Sequence, residues 1–301
     1  MKNTLGRILP AAAMKRIAPD WEPRPRVAVV RLSGVIGASQ PLRGGLNLAA
    51  IEDALDAAFE MKRIKAVALV INSPGGSPVQ SSLIFKRIRA LAQENELPVY
   101  VFAEDVAASG GYMLACAGDE IYADDSSIIG SIGVISAGFG FTEAMRKLGV
   151  ERRVHTTGAN KGMLDPFQPE NPDDVAHLLA LQSEVHESFK SLVRTSRGDR
   201  LKGGDELFTG AFWAAGGALA RGLIDGIGDL RAVLRDKFGK DVVLKEVGGK
   251  KPWWRLGGLS SRHHGGQEVL EATSGPEIAT NFADGLISAI EKRSLWLRFG
   301  L

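Results

Sequence analysis

The sequence predicts an α/β protein with a largely parallel sheet and helices outside it. Two observations carry this. Short β-branched runs bounded by glycine, proline or serine recur from Val27 to Thr157, and between them lie stretches with apolar residues at helical spacing. Repeated strand-helix units of this length call for crossover connections, and these join parallel strands.

The first run, Val27-Ala-Val-Val-Arg-Leu32, ends at Ser33-Gly34 and reads as a core strand. Asn47 is placed to cap a helix whose apolar positions are Ile51, Leu55, Ala58 and Phe59. Ala66 to Ile71 is a second buried strand. The turn Asn72-Ser-Pro-Gly-Gly76 follows, then a helix carrying Leu83, Ile84, Ile88 and Leu91. Pro98 to Ala103 is a third strand, with proline at its first position, where a missing N–H is tolerated. Glu120 to Ala123 leads into Ile128 to Ile135, whose glycines suggest close backbone approach. Glu151 to Thr157 is read as a further strand, and Asn171 to Arg197 as one long helix opening on Pro172-Asp173-Asp174. A smaller α/β stretch over 207–247 ends in the strand-like Val242 to Val247.

The totals narrow the function without choosing it. The 37 basic and 35 acidic residues leave a net charge of +2, too small to argue for nucleic acid as the main partner. The single cysteine, Cys116, sits among apolar residues and reads as a buried thiol. The five histidines show no metal-binding pattern, so no zinc site is expected. Residues 1–26 hold no apolar stretch of signal-peptide or membrane-span length. The expectation is a cytoplasmic chain without leader or transmembrane helix. Peripheral contact with the inner membrane is the open alternative, because basic and apolar residues interleave at both ends. Glycine-rich composition over 248–275 reads as a linker. Ile278, Phe282, Leu286 and Ile290, spaced by four, predict an amphipathic helix over 276–301 that needs a surface to cover its stripe.

Chemistry concentrates where strands end in paired glycines, at Pro-Gly75-Gly76 and at Ala-Ala-Ser109-Gly110-Gly111. A residue at such a junction projects from the carboxyl edge of the sheet, and amides at a helix start suit a developing negative charge. Read alone, Ser109 also suits a helix N-cap. A nucleophilic serine needs a base, and no histidine here is patterned to serve. A lysine does so where burial keeps its amine neutral. Lys161, in Thr-Gly-Ala-Asn-Lys-Gly-Met, is the candidate, though by itself it also reads as an exposed loop residue.

These pieces occur in the order found in one family. The Asn-Ser-Pro-Gly-Gly turn, the Ala-Ala-Ser-Gly-Gly-Tyr block, Gly130-Ser-Ile-Gly-Val134 and the later Gly-x-x-Lys resemble the successive motifs of the signal peptide peptidase A family, short single-unit form. The resemblance covers about 27–247. It implies the crotonase/Clp-protease-like superfold of repeated β-β-α units. It implies Ser109 as nucleophile, Lys161 as general base, Ser131 as the residue orienting the lysine, and Gly76 with Gly110 as oxyanion-hole donors. It further implies hydrolysis of extended, apolar peptides without cofactor, in a homo-oligomer.

The domain reading that follows is a basic tail over 1–26 and a peptidase domain over 27–247, with its core at 27–200 and a smaller portion at 201–247. The linker and C-terminal helix come after it. Two rival readings stay open: a crotonase-like acyl-CoA enzyme using Glu104 or Asp105, and a non-catalytic scaffold acting at a membrane through its basic tails.

Overall fold

The computed structural model describes residues 23–37, 45–248, Trp296 and Phe299. The expected basic tail up to residue 22, the linker beyond 248 and the C-terminal helix lie outside these apart from those last two residues, and Arg26, expected in the tail, is instead the first residue of a strand. Among the described residues eight strands form one sheet. Along it run β6 (Phe212–Ala214), β5 (Ile128–Gly130), β3 (Val99–Ala108), β2 (Ala66–Ser73), β1 (Arg26–Ser33) and β8 (Val243–Val247). Off this row, β4 (Glu120–Ala123) pairs with β3 and β7 (Gly226–Ile227) with β4. Every pairing is parallel except β5 with β6.

Helices make the crossovers: α1 (Leu48–Phe59) between β1 and β2, α2 (Pro78–Glu94) between β2 and β3, and the short α3 (Gly110–Ala115) after β3. Later come α4 (Thr142–Leu148), the long α5 (Pro172–Arg197), α6 (Ala215–Ala220) and α7 (Leu230–Phe238). Asn47 caps α1 by accepting the Ala50 amide at 2.9 Å, and Asn171 caps α5 ahead of Pro172.

A sheet covered on both sides needs strands that are apolar on both sides, and β2 is buried along nearly its whole length. Val30, Leu32, Leu69, Ile71 and Val101 face the core built with α1, α2, α3 and α5. Val27, Val29, Ala68, Val70 and Phe102 face the other way, toward Leu234 of α7. The stretch after residue 200 contributes β6, β7 and β8 to this same sheet.

Two expectations change, and a third is made definite. In the glycine-bearing run 128–135, where close backbone approach is expected, only Ile128–Gly130 forms a strand, because Ser131 takes a positive φ of 52° that no strand continues. Glu151 to Thr157 is exposed and irregular, and no strand among the described residues hydrogen-bonds to it. Leu83 lies on the outer side of α2, while Ile84, Ile88 and Leu91 form its buried stripe.

Candidate active site

Strand β3 ends at Ala108, and Ser109 makes the turn into α3. Ser109 holds φ 52° and ψ −124°, a backbone state that costs on the order of 1–3 kcal/mol and persists only where its surroundings impose it. Here the Ser109 amide donates to the Gly130 carbonyl at 2.8 Å. Its own carbonyl accepts the amides of Tyr112 and Met113 at 2.9 and 3.0 Å. The helix start is thus held through the backbone carbonyl, and the serine hydroxyl makes no capping hydrogen bond.

The turn after β2 lies against this junction. A Cβ on Gly75 would stand 2.8 Å from both the Gly110 nitrogen and the Ser109 Cβ, so only glycine permits the approach. Gly76 has φ 141°, and a Cβ there would meet the Ile36 carbonyl oxygen at 2.0 Å. The second approach belongs to the bridge between Ile36 and Gly76.

A cavity of about 260 Å³ opens at this point, with Gly76, Ser109 and Gly110 in its lining. Its apolar wall comes from Met113 of α3, Val134 and Ile135 beyond β5, and Val185, Phe189 and Leu192 of α5, with Phe299 from the far end of the chain. No local sequence signal marks these wall residues as one group. A site so lined favours apolar side chains, with a few backbone amides to fix orientation.

Ser131 is buried at the end of β5 and is not itself part of the cavity wall, and its amide donates to the Ala211 carbonyl at 2.7 Å. Since Ala108 pairs with Gly130, Ser109 and Ser131 leave adjacent strand ends together. The structure therefore gathers Gly76, Ser109, Gly110 and Ser131. Lys161 stands apart from them. It lies on an exposed turn, its amide donating to the Gly158 carbonyl at 3.2 Å, and it is not part of the cavity wall.

Helix α3 rests on a buried polar group that sequence reading missed. The Tyr112 hydroxyl donates to the Leu223 carbonyl at 2.8 Å. Arg197 donates to both carboxylate oxygens of Asp225 at 2.8 and 2.9 Å and to the Gly222 carbonyl at 2.9 Å. Burial pushes the Asp225 carboxyl up, but the Arg197 guanidinium and the Ile121 amide outweigh it and hold that carboxyl below its ordinary range. Burial raises the Tyr112 phenol well above its usual value and pushes the Cys116 thiol up to about 12, which leaves that thiol unreactive. Glu104 and Asp105 are committed elsewhere. Arg31 holds the first at 2.7 Å and the Asn72 amide donates to the second at 2.6 Å, and neither lines the cavity.

Comparison with known proteins bears on this geometry. The family model described as "Peptidase family S49" matches residues 91–241, which span Ser109, Ser131 and Lys161. The chain is 49% identical over 277 residues to a protein of Brucella abortus (strain 2308) named "Na(+)/H(+) antiporter NhaA", a match covering 91% of this chain and 37% of that one. It is 30% identical over 229 residues to "Serine protease SPPA, chloroplastic" of Arabidopsis thaliana, covering 74% of this chain and 34% of the other. The chain thus spans little more than a third of these relatives' length. Among solved structures, a mutant of the "1510-N membrane-bound stomatin-specific protease" aligns with a TM-score of 0.45 at 16% identity, over 74% of this chain and 97% of that one. A match over half the chain, with the turn of Ser109 and the start of α3 inside it, makes this chain a member of peptidase family S49.

Proposed function

We propose that the chain is a serine endopeptidase acting through Ser109 and Lys161 on extended, apolar peptides, without a cofactor. The observation that carries this is the Ser109 side chain: it lines the cavity and leaves helix capping to its own carbonyl. An ordinary N-cap serine spends its oxygen on the helix.

In this reading the Ser109 hydroxyl gives its proton to the Lys161 amine as Oγ bonds to the substrate carbonyl carbon. The amides of Gly76 and Gly110 receive the oxyanion, and Ser131 orients the lysine. Breaking the C–N bond, with return of the proton to the leaving amine, gives an acyl-serine. Water, deprotonated by the same lysine, then hydrolyses that ester.

Because Lys161 lies off the cavity wall, the reading requires the stretch bearing it to close over the cavity, or another copy of the chain to present it. That stretch exposes Ile135, Phe139 and Leu148, which suits assembly into a homo-oligomer. Among the described residues no helix is long and apolar enough to cross a membrane. A cytoplasmic setting with peripheral membrane contact through the terminal segments accompanies the proposal. Co-sedimentation with anionic vesicles, with and without residues 1–26 and 276–301, tests that contact.

The test of the chemistry is labelling by a fluorophosphonate and cleavage of casein at pH 8. Wild type should do both, Ser109→Ala neither, and Lys161→Ala should lose cleavage. A folded wild-type protein that neither labels nor cleaves overturns the peptidase reading and leaves the scaffold reading, which the position of Lys161 favours.

A further inference from the structure

The family model ends at residue 241, yet the cavity beside Ser109 takes part of its wall from residue 299. Phe299 is buried. It packs on Val106 and Ala108, which lie on one face of β3 just before the serine, with Ile128 and Trp296 at the margin. Its ring meets Phe212 of β6 edge-on, with centroids 5.1 Å apart, and its amide donates to the Trp296 carbonyl at 2.9 Å. An aromatic pair at this distance is a favourable arrangement that fixes ring position as well as burying area. The ring therefore covers the end of β3 and at the same time limits the cavity.

The size of that cavity makes the limit consequential. At about 260 Å³ it falls just below the roughly 300–1,000 Å³ of ordinary ligand pockets. It has room for a side chain and for little else, so one phenyl ring more or less in its wall changes which side chain enters.

We infer that Phe299 is a specificity-determining residue: its ring sets the upper size of the apolar side chain the site admits, so part of this chain's substrate choice lies outside the stretch matched by the family. The inference rests on Ser109 being the nucleophile. Opening the wall should favour large aromatic side chains over small ones more than the intact wall does. Pocket changes of this size commonly alter discrimination by on the order of 10-fold or more.

The experiment uses the full chain and four peptides that differ only in the residue before the scissile bond: alanine, leucine, phenylalanine or tryptophan. Cleavage by wild type, Phe299→Ala and Phe299→Leu is measured as kcat/KM, and the readout is the ratio of the phenylalanine peptide to the alanine peptide. That ratio is independent of how much of each preparation is folded. Phe299→Ala should raise it about 10-fold and Phe299→Leu by less. A ratio unchanged in both variants, with all four peptides slowed alike, makes Phe299 a packing residue and overturns the inference while the peptidase reading stands. A wild type that cleaves no peptide and shows no Ser109-dependent fluorophosphonate labelling removes both readings together.

Discussion

The amide of Ser109 donates to the carbonyl of Gly130 at 2.8 Å, and this one bond sets two serines of positive φ on neighbouring strand ends. Both Ser109 and Ser131 have φ 52°. Their strain has different uses in the proposed reaction. At Ser109 it turns the chain from strand to helix, and at Ser131 it ends β5 and turns the backbone toward the segment that forms the cavity wall.

Replacing Ser131 by glycine separates strain from chemistry. Relief of a non-glycine residue at positive φ gains on the order of 1–3 kcal/mol, and the added freedom of glycine in the unfolded chain costs about 0.5–1 kcal/mol. Ser131→Gly should therefore be more stable by roughly 1 kcal/mol in urea denaturation. Casein cleavage should fall, because the hydroxyl proposed to orient the lysine is gone. A variant that is destabilised and fully active contradicts both halves.

Gly76→Ala should act in the opposite sense on stability. Its new Cβ would fall 2.0 Å from the Ile36 carbonyl oxygen, which belongs to backbone and has no side-chain freedom with which to give way. The Ile36 bridge must open, moving the proposed oxyanion amide. Loss of one such donor lowers the rate by about 100-fold or more. Peptide kinetics should show this mainly in kcat, alongside a lower thermal midpoint.

Much of this arrangement is legible in the sequence because it is local. Asn47 stands three residues before the amide it caps, and the runs of β1, β2 and β3 are predominantly apolar. The paired glycines announce tight turns. Harder to read is anything that depends on a distant partner. Glu151 to Thr157 has strand-like composition, but strand formation needs a neighbouring edge, and β6 takes the one beside β5. Phe299 meets Val106 across most of the chain. Arg197 did leave a trace: Phe189, Val193 and Arg197 repeat every four residues, and all three are buried. A charge in phase with an apolar stripe signals a buried partner, here Asp225.

That partner gives a third prediction. Asp225→Ala leaves the Arg197 guanidinium, whose side chain is 1% exposed, without its counter-ion. Breaking a buried pair on one side costs about 3–5 kcal/mol, which denaturant titration would resolve. The pH dependence has a definite sign. The Asp225 carboxyl is held below its ordinary range in the folded chain, so its contribution is complete above the unfolded value of about 3.9. It is lost as pH falls through the lower folded value. Wild type should lose this increment of stability on acidification below about pH 4, and Asp225→Ala should lack that component.

Lys161→Ala supplies the sharpest contrast between fold and function. Lys161 is exposed on an irregular turn, and its amide bond to Gly158 belongs to the backbone and survives truncation of the side chain. Surface changes of this kind alter stability by no more than about 0.5 kcal/mol. The urea midpoint should therefore coincide with wild type. Cleavage should nonetheless fall by several orders of magnitude, because the serine hydroxyl has lost the base that the proposed mechanism assigns to it. Equal midpoints with equal cleavage rates would remove Lys161 from the mechanism and direct the search for a base to other residues.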